Sequence, residues 1–240
     1  MVSFSNLGGY GRMGNQLFQL AATIAYGRRH GEEVWFPAWE YAEHFNVPAN
    51  FFGKRKPGRR YEEPCFAYRE IPRMDNPDLH GYFQSERYFT DYANYIRELF
   101  TPKDLEETNC GFCAVHVRRT DYEKLPGCYT ILGKDYYLAA AERVPVDSFI
   151  VFSDDHAAAK KMFKGEQRFV VPEPSEDVVD FRMMCECEHQ IIANSSFSWW
   201  AAWLNPNPDK VVVAPKNWFG PKLAPSHPIA DLIPQSWTVT

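Results

Sequence analysis

The sequence predicts an α/β protein whose second half contains a parallel sheet. After residue 110, apolar runs of strand length alternate with amphipathic runs of helical length, which is typical of parallel strands joined by right-handed crossover helices. Polar or basic residues follow three of these strands, at the end where ligands gather in open α/β sheets. Together the two observations indicate a nucleotide-binding half.

The elements of the second half follow from the spacing of its apolar residues. Strands are predicted at 112–117, 149–153, 168–171, 190–193 and 210–214. Helices are predicted at 135–144, 156–163, 176–187 and 197–204. The tail from Pro215 is rich in Pro and Trp, and we expect it to pack irregularly.

The first half is less regular. Its predicted elements are a strand at 3–7, a glycine-rich turn at 8–14, a helix at 15–30 capped by Gly31, a strand at 34–36 and a helix at 88–100. Residues 37–80 lack periodicity and are expected to form loops and short helices. The basic segment Lys54–Arg60 is interpreted as a solvated loop.

Composition excludes several classes of protein. The 240 residues are 45% hydrophobic and carry a net charge of -5, so a core can form and nucleic acid is not an expected partner. No apolar run has the length of a membrane span, and no signal peptide is visible, so we expect a cytoplasmic protein. The six cysteines include Cys110-x-x-Cys113, which we interpret as ordinary reduced thiols rather than a zinc or redox motif.

The run from Val115 to Tyr122 contains the most informative side chains. Arg118 and Arg119 follow a buried strand, where two guanidiniums are costly unless an anion meets them. One arginine about 4 Å from a phosphate oxygen contributes roughly 4 kcal/mol at an effective dielectric constant of 20. We therefore expect a diphosphate site. His116 is either a core histidine or, because it shares a strand face with Arg118, a ligand-facing one.

The glycine-rich turn fits G-x-G-x-x-G between a strand and a helix. A dinucleotide fingerprint would need an acidic residue at the end of the second strand, where Phe36 and Pro37 stand instead. The turn is therefore either a plain tight turn or an anion site at a helix N-terminus, with Arg12, Gly14 and Asn15 facing the anion.

Two further strand ends carry polar residues. At Ser153-Asp154-Asp155, either Ser153 or Asp154 caps the following helix, or a carboxylate binds a guanine edge or a ribose hydroxyl, and both interpretations can hold. The run from Asn194 to Trp200 is either a helix cap with buried tryptophans or a cradle for an anion or ribose.

Six segments together resemble the α-1,2-fucosyltransferases, in that family's order and over almost the whole chain. They are GRMGNQLFQ (11–19), GYFQSE (81–86), HVRRTDY (116–122), FSDD (152–155), ANSSFSWWA (193–201) and APKNWF (214–219).

The resemblance implies a GT-B-like fold, with two Rossmann-like halves facing a cleft. An acceptor-side domain would span residues 1–108 and a GDP-fucose-binding domain residues 109–240. GDP-β-L-fucose would be the donor and the 2-hydroxyl of a terminal galactose in a glycan the acceptor, with inversion and no metal ion or other cofactor. The alternatives are another fucosyl linkage, a non-catalytic nucleotide or sugar binder and, on the glycine turn alone, a nicotinamide-dependent oxidoreductase.

The resemblance also implies roles for individual residues. Arg118 would assist departure of GDP, with His116 beside it. The catalytic base is open, because Asp121 and Glu123 are nearby but Asp121 also fits as the partner of Arg118 or Arg119, and a mechanism without a base is a further alternative. The expected donor-binding residues are Arg12, Gly14, Asn15, His116, Arg118, Arg119, Asp154, Asp155, Ser195, Ser196 and Phe197.

Overall fold

The computed structural model describes residues 1–106 and 111–240. The chain forms two compact units. The first consists of Met1–Lys103 with Ser226–Pro234, and the second of Asp104–Pro225 with Gln235–Thr240. The predicted domain boundary, between residues 108 and 109, lies outside the described residues, as does Cys110.

The first unit contains four parallel strands in the order β2-β1-β4-β3. They are β1 (Val2–Ser3), β2 (Val34–Trp35), β3 (Arg59–Glu62) and β4 (Pro77–His80). The prediction of only loops and short helices over 37–80 is wrong because it missed β3 and β4. β3 is an exposed edge strand without apolar alternation, and its first residues, Arg59 and Arg60, are the end of the segment predicted as a loop.

Helix α1 (Met13–His30) confirms the predicted first helix. It ends at Gly31, which adopts a left-handed conformation (φ 68°), and Arg28, Arg29 and His30 occupy its last turn, where the helix dipole favours positive charge. Helix α2 (Ala93–Phe100) is shorter than predicted. Four 3₁₀ segments complete the unit: Ala42–His44, Ala49–Phe51, Glu86–Tyr88 and Thr90–Tyr92.

The second unit contains six parallel strands in the order β10-β9-β8-β5-β6-β7. They are β5 (Cys113–Val117), β6 (Phe149–Ser153), β7 (Phe169–Val170), β8 (His189–Ile191), β9 (Val212–Ala214) and β10 (Thr238–Val239). Counted within the unit, this is the order 3-2-1-4-5-6 of a Rossmann sheet. The strand order therefore reverses between β5 and β8.

Five helices accompany this sheet in the residues that the structure describes. They are α3 (Thr120–Glu123), α4 (Lys134–Ala141), α5 (His156–Met162), α6 (Asp177–Glu186) and α7 (Ser196–Leu204). All nine elements predicted for this half are present. The sequence pattern missed the one-turn helix α3 and the strand β10, because neither is long enough to show a period.

The core of the second unit is built from the buried faces of these strands and helices. Trp199, Trp200 and Trp203 on α7 are buried, as the capping interpretation of their segment requires. Cys65, Cys113, Cys128, Cys185 and Cys187 are free thiols. None of the described helices combines the length and the apolar character that a bilayer crossing needs.

Candidate functional site

The site in the second unit lies where β5 and β8 are neighbours. Val115 on β5 is paired with Ile191 on β8, and the chain leaves both strands at the same edge of the sheet. Ligands of doubly wound sheets bind in the crevice outside this edge, at the point where the strand order reverses. The segments after the two strands, 118–123 and 192–198, are therefore the candidate binding loops.

Arg118 is the best-fixed cation of these loops. One Nη atom lies 2.8 Å from Oδ1 of Asp121 and the other 3.2 Å from Oδ2 of Asp154. The Arg118 side chain is only 11% exposed. Its Nε–H is buried without a hydrogen-bond partner in the described part of the chain, so one donor of the guanidinium is unsatisfied.

Asp154, at the end of β6, organises the turn after β5. Its Oδ1 accepts a hydrogen bond from the backbone N–H of Arg119 at 2.9 Å, and its Oδ2 accepts one from the hydroxyl of Thr120. With the Arg118 ion pair, three groups of one turn bind this carboxylate. Asp154 therefore positions the turn, and its oxygens are already occupied by protein groups.

Asp155 caps helix α5. Its Oδ1 accepts the backbone N–H of Ala158 at 2.9 Å. The prediction that Ser153 or Asp154 is the capping residue is wrong, because β6 extends through Ser153 and the helix therefore begins later. The Ser153 hydroxyl instead accepts the backbone N–H of Asp155 at 3.0 Å.

The two guanidiniums are balanced within the protein. Arg119 forms an ion pair with Glu123 at 2.6 Å, and Arg118 pairs with Asp121 and Asp154. We expected an external anion to meet these arginines, but three carboxylates of the protein already do so. Asp121 is 42% exposed and Arg118 only 11%, so the pair is open to solvent on the side of the carboxylate.

His116 lies beneath this loop and is buried. Its Nδ1 is 2.9 Å from Oγ of Ser198, and its ring centroid is 5.4 Å from that of Phe197. Burial, and to a smaller extent the charge of Arg118, lowers the pKa of His116 to about 3. The imidazole is therefore neutral at physiological pH.

The loop after β8 is fixed by the protein as well. The Ser195 hydroxyl accepts the backbone N–H of Phe197 at 3.3 Å and caps α7, so the capping interpretation is confirmed. The Asn194 side chain donates to the carbonyls of Thr130 and Trp218 at 3.0 and 2.7 Å. Ser196 and Phe197 remain partly exposed at the start of the helix.

The glycine turn of the first unit is held by glutamines of its own helix. The Nε2 atom of Gln16 donates to the carbonyl of Gly11, and that of Gln19 donates to the carbonyl of Tyr10, each at 3.0 Å. Gly11 has a φ of 78°, and a Cβ there would lie 1.9 Å from Nδ2 of Asn15, so the position requires glycine.

The predicted anion-facing residues of this turn lie at the start of α1. Arg12 is exposed and flanks the helix without a side-chain cap, Gly14 is buried, and Asn15 is half-buried. The Oδ1 atom of Asn15 accepts a hydrogen bond of 2.6 Å from Nε2 of Gln84. The segments 11–19 and 81–86, recognised separately in the sequence, therefore touch.

Glu63 holds the turn at Tyr82 and Phe83, a role that the sequence did not predict. Its carboxylate accepts the backbone N–H groups of Tyr82, at 2.7 Å, and of Phe83, at 3.1 Å. Phe83 has a φ of 50°, a strained conformation for a bulky residue. Burial raises the pKa of Glu63 to about 7, although these hydrogen bonds oppose the shift.

The pKa of another carboxylate of this unit, the buried Asp78, is shifted in the opposite direction. Asp78 on β4 accepts hydrogen bonds from Ser3, Ser5 and the ring of His80, at 2.6 to 2.8 Å. Although burial raises the pKa of Asp78, these hydrogen bonds leave it below its ordinary value. Asp78 is therefore ionised, and it fastens β4 to β1.

We predict that His116 makes stability depend on pH. Below a pH of about 6.5 the unfolded chain takes up a proton on this imidazole and the folded protein does not, so stability falls by up to about 1.4 kcal/mol per pH unit toward the folded pKa. His116→Gln should remove this slope in urea unfolding measured between about pH 7 and pH 5. His44→Gln, at a side chain that is 40% exposed, is the control. Equal slopes in His116→Gln and the wild-type protein would contradict the prediction.

We predict an effect of the opposite sign for Glu63. Between its ordinary pKa and about 7, the folded protein keeps a proton that the unfolded chain has lost, so stability falls as pH rises through this window. Glu63→Gln should therefore gain stability relative to the wild-type protein as pH is raised from about 5 to about 7. The neighbouring Glu62→Gln, at a side chain that is 66% exposed, is the control. A stability difference that does not change with pH would refute the assignment.

The fold is similar to a solved structure. The fucosyltransferase NodZ from Bradyrhizobium superposes with a TM-score of 0.53 at 16% sequence identity, covering 85% of this chain and 93% of that chain. This likeness concerns the fold alone, and it confirms the predicted GT-B-like α/β class.

Curated relatives match by sequence. WbnK, an O-antigen biosynthesis glycosyltransferase of Escherichia coli, is 35% identical over 54% of this chain and 46% of its own length. An alpha-1,2-colitosyltransferase of Escherichia coli is 34% identical over 65% of this chain and 60% of its own length. Galactoside alpha-(1,2)-fucosyltransferase 1 of Sus scrofa is 26% identical over 81% of this chain and 63% of its own length. The chain thus spans about half to three fifths of the length of these relatives.

The sequence resemblance to α-1,2-fucosyltransferases is confirmed by these matches. The model of one glycosyltransferase family covers residues 54–228, well over half of the chain, including the segments after β4, β5, β6 and β8. The protein therefore belongs to glycosyl transferase family 11.

Proposed function

We propose that this protein is an inverting transferase that moves L-fucose from GDP-β-L-fucose to the 2-hydroxyl of a terminal galactose in a glycan. Membership of glycosyl transferase family 11 supports sugar transfer. The names of relatives from Escherichia coli and Sus scrofa support an α-1,2 linkage. We further propose that the reaction needs no metal ion.

One observation carries the proposal. At the point where the strand order reverses, the turn after β5 fixes Arg118 in a single orientation, with a buried Nε–H that has no partner in the described residues. Arginine offers a planar fork of donors that matches phosphate oxygens. Asp154 is 15% exposed and holds the turn, whereas Asp121 is 42% exposed. A diphosphate would therefore replace Asp121, not Asp154, at the guanidinium.

The chemistry follows from this placement. The acceptor oxygen forms a bond to C1 of fucose as the bond between C1 and the phosphate oxygen breaks, and GDP leaves with the electron pair. Arg118 meets the charge that grows on the phosphate, together with the positive end of the dipole of helix α7. His116 is neutral, so it contributes a hydrogen bond and no charge.

The proposal gives the carboxylates positioning roles. Asp121 holds Arg118 before the donor binds, which is the alternative to its action as the base. Asp154 and Asp155 already bind the turn after β5 and the start of α5, so they shape the donor site and need not contact guanine. Within the second unit, direct donor contacts are assigned to His116, Arg118, Arg119, Ser195, Ser196 and Phe197.

A second candidate shares the linkage but not the donor sugar. The alpha-1,2-colitosyltransferase of Escherichia coli matches a larger share of this chain than WbnK does, at nearly the same identity. Transfer of colitose, another deoxy sugar, therefore ranks next. Fucosyl transfer and colitosyl transfer would both use Arg118 in the same role, and they would differ only in the residues that contact the transferred sugar.

The direct test is a transfer assay. The protein is incubated with GDP-fucose or, in a parallel arm, GDP-colitose, and a small panel of galactosides, with and without EDTA, and the product is analysed for linkage. We expect a fucosyl-α-1,2-galactose product. A product formed only with GDP-colitose would select the second candidate, a different linkage would overturn the α-1,2 assignment, and activity abolished by EDTA would overturn metal independence.

Arg118→Ala should lower turnover by about three orders of magnitude, because an arginine beside the phosphate contributes roughly 4 kcal/mol to stabilising the leaving group. Arg118→Lys should also be impaired, since lysine cannot offer the planar fork. Arg143→Ala, at an exposed arginine of the same unit, is the control. Steady-state kinetics on folded variants measures the effect, and activity of Arg118→Ala within a few-fold of wild type would refute the role.

A further inference from the structure

Tyr122, on the one-turn helix α3 after β5, makes three contacts. Its hydroxyl donates to the backbone carbonyl of Asn194 at 2.8 Å. Its ring is stacked on that of Tyr129, with centroids 4.0 Å apart and planes 9° from parallel. The guanidinium carbon of Arg118 lies 5.5 Å from the centroid of the Tyr122 ring. One side chain thus touches both loops of the candidate site.

The anchor of Tyr122 is itself immobilised. Asn194 is buried, and its side-chain amide donates to the carbonyls of Thr130 and Trp218. A hydroxyl bonded to such a residue fastens the one-turn helix α3 to the end of β8. Burial raises the pKa of Tyr122 far above its ordinary value, so the hydroxyl remains a donor at physiological pH.

The ring of Tyr122 matters because the two carboxylate partners of Arg118 differ in exposure, Asp121 being more exposed than Asp154. If a diphosphate replaces the exposed Asp121, the guanidinium keeps only Asp154 as a carboxylate partner. An aromatic face within about 6 Å of a cation attracts it through the ring quadrupole, whatever the carboxylates do. The ring therefore restrains Arg118 while its anionic partner is exchanged.

We propose that Tyr122 is a positioning residue that acts through Arg118. It locks the turn after β5 to the end of β8 and holds the guanidinium where the diphosphate of the donor arrives. The inference rests on the proposed function, because it takes Arg118 to be the diphosphate-binding residue.

The experiment measures the affinity for GDP by calorimetry, and kcat and KM for GDP-fucose, in two variants. Tyr122→Phe keeps the ring and loses the hydroxyl, and Tyr122→Leu loses both. We expect GDP affinity to fall a few-fold in the first variant and about tenfold in the second, with kcat falling by at least as much. Tyr26→Phe is the matched control, because its hydroxyl also donates to a backbone carbonyl, that of Pro72 at 3.2 Å, outside the candidate binding loops.

A double-mutant cycle separates positioning from a merely structural role. In an Arg118→Ala background, Tyr122→Leu should change GDP affinity less than twofold, because the group through which it acts is gone. The same tenfold loss in both backgrounds would overturn the proposal, as would GDP affinities of both Tyr122 variants equal to that of Tyr26→Phe. Failure of the wild-type protein to bind GDP is a different result, which would overturn the proposed function together with this inference.

Discussion

The carboxylate of Asp154 is the group on which the candidate site of the second unit depends. It stands at the end of β6 and binds a backbone N–H, a hydroxyl and a guanidinium, all from the turn after the neighbouring strand β5. A turn that leaves a strand has no ladder to fix it, so side chains that bind its backbone help to set its conformation. Asp154 supplies that constraint, and the orientation of Arg118 follows from it.

The constraint also sets the electrostatics of donor binding. Arg118 and Arg119 face Asp121, Glu123 and Asp154, so no net positive charge exists at this turn before a ligand arrives. An anionic donor must displace a carboxylate or bind where the field of α7 compensates. Because Asp121 and Glu123 are about half exposed and Asp154 is not, exchange at the outer carboxylates disturbs the turn least.

The sequence predicted the second unit well and its contacts poorly. Strand–helix alternation is a local pattern, so every element long enough to show a period was found. The hydrogen bonds from the Arg119 backbone to Asp154, between His116 and Ser198, and from the Tyr122 hydroxyl to Asn194 join residues that are between 35 and 82 positions apart in the chain, and no spacing rule relates them. Ser198 and Asn194 stood inside a recognised segment, yet nothing in it distinguished residues that hold the protein from residues that hold a ligand. In the first unit, β3 was not predicted because an exposed edge strand has no buried face, and its sequence therefore shows no alternation of apolar and polar residues.

Residues that hold the protein can be distinguished from residues that hold a ligand once their hydrogen-bond partners are known. The same distinction applies to the first unit. Gln16 and Gln19 occur in the same segment as Arg12 and Gly14, but both bind the backbone of the glycine turn. Glu63 likewise binds the backbone of the strained turn at Phe83. This turn positions the next residue, Gln84, to donate a hydrogen bond to Asn15. A side chain whose donors and acceptors are used on a loop backbone fixes the shape of that loop. The residues that can meet a ligand are those that lie between such backbone-binding residues. The backbone-binding residues must therefore be identified before roles in catalysis are assigned.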